Sequence, residues 1–195
     1  MGRGLRERIE SLSFLVAPVL GPGIFMLEAA TLLIFPLLMI FAAISDLLTM
    51  TISNWISLML GFLFMVLGVF CGLPAPVLLL HLACGVLVLV LTFGLFAKGW
   101  IGGGDAKLAA ATAIWLGFDH VGDYALYASV IGGLLTLFIL GVRQWPLPGI
   151  LQARQWAARL HDPATGIPYG IALASAGLLL YPGTVIWIGT LAALR

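Results

Sequence analysis

Apolar residues fall along this chain in blocks long enough to cross a bilayer, and the polar residues gather at the breaks between them. The blocks lack the strict alternation of barrel strands. Backbone in hydrocarbon must satisfy its own hydrogen bonds, which leaves helices. The pattern predicts six spans. The first covers 24–45, with Glu28 as its only charge and Pro36 as a kink point. The second covers 55–73, with Trp55 as an interfacial anchor, and the turn at Gly72-Leu73-Pro74 ends it. The third covers 77–97, and a glycine-rich break follows. The fourth, 105–118, rises only about 21 Å against about 30 Å of hydrocarbon, so either it is recessed or the bilayer thins around it, and both let water reach its start. The fifth covers 124–142. The sixth runs from about 167 to 191, with Pro182 inside it.

Two segments lie outside this scheme. Arg3, Arg6 and Arg8 precede a short apolar run at 12–20 that Gly21-Pro22-Gly23 breaks, so residues 5–20 are expected to lie along the interface. Residues 143–162 form a polar loop in which Ile150, Leu151, Ala157 and Leu160 can share an apolar face, predicting a short helix on the membrane.

Composition fixes the class. The chain is 62% hydrophobic and 9% charged, with a mean hydropathy of +1.16, more apolar surface than a soluble domain of this size can bury. The expected fold is an all-α integral membrane protein. It has about six transmembrane helices in one bundle and an interfacial N-terminal segment. No internal repeat divides it, so 1–195 reads as a single membrane-embedded domain. A net charge of +1 carries no nucleic-acid footprint. Cys71 and Cys84 form no CxxC pair and lie at different depths, so neither a thiolate zinc site nor a disulfide is expected.

Basic loop residues orient the bundle. Lys98, Lys107, Arg143, Arg154 and Arg159 fall on one side of the six spans, which predicts that side to be cytoplasmic and both termini external; Arg3, Arg6 and Arg8 pull the other way.

Among eight acidic residues, two stand apart. Asp46 ends the first span, and Asp105 sits in Gly102-Gly103-Gly104-Asp105-Ala106-Lys107-Leu108. Two spans separate them, so both carboxylates belong to one membrane face. Each alone has a bland explanation, as a helix-end polar residue or a helix N-terminal acid. Together, beside three glycines and Lys107, they point to acid–base chemistry. Asp119 and Asp123 flank His120 in a far-side turn; those residue types can ligate a metal, but a polar turn accounts for them. Asp162 precedes Pro163 in a loop turn. His81, deep in the third span, reads as a hydrogen-bonded interior group, and no serine has an evident His/Asp partner. No metal or cofactor is expected.

At these residues the chain resembles the GxGD membrane aspartyl proteases, and specifically the prepilin peptidase family. Gly102-x-Gly104-Asp105-x-Lys107-Leu108 is similar to the second aspartate motif of that family. The stretch from Asp46 to Asn54 has the spacing of its first motif, with Ser53 where proline is usual and Leu48, Met50 and Thr51 where basic residues are common. Ile167-Pro168-Tyr169-Gly170 resembles its C-terminal Pro-Tyr-Gly segment. The resemblance implies catalytic Asp46 and Asp105, supported by Gly102, Gly104, Lys107 and Asn54. It implies removal of the leader from a prepilin or pseudopilin precursor at the cytoplasmic face of the bacterial inner membrane. The compact length resembles the short branch that serves Flp-type, tight-adherence pili. The cysteine-rich domain that larger relatives link to N-methylation has no counterpart in this sequence, so a product with a free amine is the expectation. Two neighbouring carboxylates would share a proton, one activating water and the other serving as acid. Two other readings use the same acids. One is a small proton-coupled transporter, against which stands the lack of an inverted repeat. The other is a different GxGD intramembrane protease, against which stands Ser45 where a tyrosine would precede the first aspartate.

Overall fold

A computed structural model describes residues 29–193, and every regular element in that range is helical. In chain order these are α1 (Ala29–Thr49), α2 (Asn54–Phe70), α3 (Ala75–Ala97), α4 (Gly103–Arg143), α5 (Gly149–Gln152), α6 (Gln155–His161), α7 (Tyr169–Leu180), a 3-10 turn (Tyr181–Gly183) and α8 (Val185–Ala193). The interfacial segment expected over 5–20, and Glu28, lie outside the described residues.

Helix boundaries follow local chemistry. Ser53 caps α2, its hydroxyl accepting the Trp55 N–H at 3.4 Å. Gly99 ends α3 with φ +73°, a conformation that L side chains resist. Its own N–H then reaches the Phe96 carbonyl, and the Trp100 N–H reaches Leu95, so the last carbonyls of α3 are satisfied before the chain enters the glycine-rich turn.

α4 packs against α2, α3 and α7. The residues that let it do so are small: Ala106, Ala109, Ala110, Ala111 and Ala113 are all buried. At Gly85 of α3 a Cβ would lie 2.3 Å from Ile114 and 3.2 Å from the Ala110 carbonyl oxygen. An aromatic core sits beneath these contacts. Phe35 stacks on Tyr181 at 4.5 Å and lies 5.0 Å from Trp115, while Phe64 meets Trp115 edge-on at 5.6 Å. The Trp115 indole N–H is satisfied by the Leu60 carbonyl at 3.0 Å, and the Tyr181 hydroxyl by the Thr31 carbonyl. Large apolar side chains such as Phe62, Val90, Phe93, Leu137 and Phe138 point outward, the arrangement a hydrocarbon solvent favours.

Helix length and composition alone establish fewer spans than the six expected. Among the described residues, α1, α3 and α4 are long and apolar enough to cross a membrane, and a fourth span arises if α7 and α8, bent by 41°, count together. α2 is apolar but has only 17 residues. The predicted fourth and fifth spans form one helical element, broken only at Gly117 (φ +66°, ψ −175°). Asp119, His120 and Asp123, expected in a turn, are helical. Tyr124 nonetheless lies beside Thr112, about 18 Å away along a straight helix, so the chain doubles back at Gly117.

One glycine suffices because α3 supplies a partner for the break. The Ile114 carbonyl, deprived of its helical donor, bonds His81 Nδ1 at 2.7 Å, and the imidazole stacks on Phe64 at 4.9 Å. His81 is thus the hydrogen-bonded interior group expected of it. The loop at 143–162 also differs. It forms two short helices rather than one; Ile150 is exposed, while Ala157 is buried, and Trp156 and Leu160 line a small cavity with Ile139 and Val142 of α4. Cys71 and Cys84 are free, as expected.

A Cβ at 117 would sit 2.8 Å from the His81 ring, on a backbone with positive φ. Gly117→Ala is therefore expected to destabilise the protein by about 1–3 kcal/mol. Denaturant unfolding of the purified protein in detergent checks this, and an unchanged midpoint contradicts it.

Candidate functional site

Asp46 lies in the last turn of α1 and is 5% exposed. Its Oδ2 accepts the backbone N–H of Gly170 at 2.7 Å, from a residue 124 positions later. Just after Asp46 the chain reverses: the Met50 N–H bonds the Asp46 carbonyl at 2.8 Å, and Met50 takes φ +55°. Glycine usually fills that position; a side chain there costs about 1–2 kcal/mol. Hydroxyls fasten the reversal. Thr49 Oγ1 donates to the Ser45 carbonyl at 2.7 Å, and Ser45 Oγ to the Thr51 carbonyl at 3.1 Å.

Asp105 comes from the first turn of α4. Gly102 is the N-cap, without a capping side chain, and Asp105 occupies the third helical position. From there its half-buried carboxylate reaches back to the Gly102 backbone, as the acid of a capping box does. The motif glycines serve as clearance. A Cβ at 102 would lie 2.8 Å from Asp105 Oδ2, and one at 104 would lie 3.2 Å from Ile52 Cβ. The buried Ile52 thus packs on bare backbone, which draws the α1–α2 loop onto the start of α4.

These contacts bring the two acids together. Asp46, Met50, Thr51, Ile52, Gly102, Gly103, Gly104 and Asp105 line one cavity of about 300 Å³, and the two carboxylates are within electrostatic range of each other. Such a space holds several waters. Asp46 is nearly buried and Asp105 half-buried, and each is held by a backbone donor, from Gly170 and Gly102 respectively.

Asn54 and Lys107 meet each other, Lys107 Nζ donating to Asn54 Oδ1 at 2.7 Å. They do not line the aspartate cavity. They stand at the polar end of a neighbouring apolar groove of about 640 Å³ between α2, α3 and α4, which also holds Ser57, whose buried Oγ lacks a partner. Asp119 and Asp123 are exposed and remote from this cavity; Asp162 forms the expected turn, its Oδ1 accepting the Ala164 N–H at 2.8 Å. Among the described residues no cluster of three His, Cys, Asp or Glu side chains has the arrangement to hold a metal.

Gly170 is the site residue that reading the sequence did not assign. It entered only within a Pro-Tyr-Gly resemblance, and its contribution is a backbone N–H, which no side-chain pattern advertises. A Cβ there would lie 2.7 Å from Asp46 Oδ2 and 2.8 Å from Ile52 Cδ1, so only glycine fits.

Comparison with known proteins gives the family. A prepilin leader peptidase/N-methyltransferase of Pectobacterium carotovorum subsp. carotovorum is 33% identical over 162 residues, covering 79% of this chain and 56% of that protein. The chain thus spans about half the length of the curated relative it matches. No solved structure matches it. The profile of the type IV leader peptidase family matches residues 33–137, more than half of the chain, with both cavity aspartates inside the match. The chain belongs to the type IV leader peptidase family.

Proposed function

We propose that this protein is a membrane aspartyl endopeptidase that removes the leader of type IV, Flp-like prepilins or pseudopilins, with Asp46 and Asp105 as its dyad. The observation that carries the reading is the meeting of these two carboxylates, from helices far apart in sequence, in one cavity of about 300 Å³. The ionised member of the pair takes a proton from water as its oxygen attacks the scissile carbonyl carbon. The protonated member stabilises the developing oxyanion and then gives its proton to the leaving amine as the C–N bond breaks. The leader departs with the new carboxyl group and the mature protein with the new amine. The pair titrates as a unit, so base and acid are roles of the dyad.

The reading includes a topology. The reversal at Gly117 gives α4 two passes, and α1, α2, α3 and the bent α7–α8 pair complete six. In this arrangement Asp46, Asp105, Lys98, Lys107, Arg143, Arg154 and Arg159 share one end. The positive-inside rule makes that end cytoplasmic, on the inner membrane of a bacterium.

Asp46→Asn and Asp105→Asn are each expected to abolish cleavage of a co-expressed prepilin while the protein stays in the membrane. Asp119→Asn, Asp123→Asn and Asp162→Asn should retain most activity. Product mass reads the outcome, and normal processing by either dyad variant removes the assignment.

Gly170→Ala pushes the Asp46 carboxylate from its donor. Turnover is expected to fall about tenfold or more, with a stability cost of about 1–3 kcal/mol. Gly122→Ala, where nothing lies within 4 Å, should preserve both. Equal turnover in the two variants would show that Gly170 does not set the site.

A further inference from the structure

Two arginines that the chemistry above does not use tie down the segment between α4 and α7. Arg143, the last residue of α4, donates from Nε to the Leu160 carbonyl at 2.8 Å, and from Nη2 to the Thr165 and Gly166 carbonyls at 3.2 and 3.1 Å. Arg159 of α6 donates from Nη2 to the Leu48 carbonyl at 2.9 Å, in the same last turn of α1 that carries Asp46. Thr165 closes the loop internally, its hydroxyl donating to the Asp162 carbonyl at 2.8 Å and to that of Arg159.

Among the described residues neither guanidinium has a carboxylate partner; their donors go to backbone carbonyls, with the Thr165 hydroxyl as a further acceptor for Arg143 at 3.4 Å. Charged donors make the stronger hydrogen bonds, and a planar fork can hold several carbonyls in fixed relative positions. The carbonyls of Leu160, Thr165 and Gly166 border the segment that leads through buried Pro168 into α7. Gly170, whose N–H holds Asp46, follows within a few residues. Arg143 therefore fixes the approach to α7 relative to α4, the helix of Asp105. Arg159 fixes the same segment to α1, the helix of Asp46.

We infer that Arg143 and Arg159 are positioning residues for the dyad: they hold the 160–168 segment so that the Gly170 N–H meets Asp46 while α1 and α4 keep their separation. The inference rests on the peptidase reading for its kinetic consequence, but the tether itself is measurable without activity. Loss of charge could by itself alter membrane orientation, so the decisive variant is Arg143→Lys, which keeps the charge and loses the fork.

The experiment uses the full-length protein in detergent with a purified prepilin, comparing wild type, Arg143→Lys, Arg143→Gln, Arg159→Lys and the control Arg154→Gln, whose wild-type side chain makes no hydrogen bond among the described residues. Two quantities are measured on each: kcat and KM for cleavage, and the rate at which thermolysin cuts within 160–168. Both Arg143 variants and Arg159→Lys should lose about 10-fold to 100-fold in kcat, with KM within about twofold, and should be cut faster; Arg154→Gln should match wild type in both. Unchanged kcat, a change confined to KM, or unchanged cutting overturns the inference. If wild type cleaves no prepilin, the peptidase reading fails separately. The cutting rates then decide the tether: faster cutting in the Arg143 and Arg159 variants upholds it and equal cutting overturns it.

Discussion

A carboxylate withdrawn from water needs a donor, and in this protein the donor for Asp46 is the backbone N–H of Gly170. Much of the arrangement around the site follows from that bond. It joins the end of α1 to the start of α7 across most of the chain. It requires glycine at 170, because any Cβ would enter the carboxylate. It leaves the second oxygen of Asp46 available to the cavity that Asp105 shares. The reversal at Met50, with its positive φ, and the packing of Ile52 on Gly104 are what bring α4 close enough to complete the pair.

The apolar surroundings explain why so many side-chain hydrogen bonds end on backbone carbonyls. Trp115, Tyr181, His81, Arg143 and Arg159 all donate to main-chain oxygens that helical pairing leaves free or underused. In hydrocarbon an unsatisfied carbonyl costs several kcal/mol, so irregular backbone persists only where such a donor is supplied. The break at Gly117 follows this rule, served by His81; in the loop before α7, outside the spans, Arg143 holds the carbonyls. The first allows α4 to turn back on itself, and the second sets the backbone that holds Asp46.

Much of this was legible in the sequence for physical reasons. Apolar block lengths gave the helical membrane class. Asp46 and Asp105 stood apart as isolated acids in an apolar chain, and they do meet in one cavity. What was not legible depended on distant partners. The polar residues Asp119, His120 and Asp123 suggested a loop, yet the reversal needs only Gly117, because a histidine 33 positions before Ile114 repairs the broken helix. Asn54 and Lys107 belong to the expected motifs, but nothing local shows that they bond each other beside an apolar groove rather than facing the aspartates. Gly170 acts through its backbone, and Arg143 looked like a topology signal. Only the folded chain shows each as a support for Asp46.

The proposed function requires Asp46 and Asp105 to act as one catalytic unit on one water. A double-mutant cycle tests it most directly: residual prepilin cleavage by wild type, Asp46→Asn, Asp105→Asn and the double variant, followed through long incubations of purified protein. Members of a single machine are strongly non-additive. If the two acids form one unit, the double variant is no slower than either single variant. Losses that multiply, with the double variant slower than each single by the full factor of the other, would contradict it.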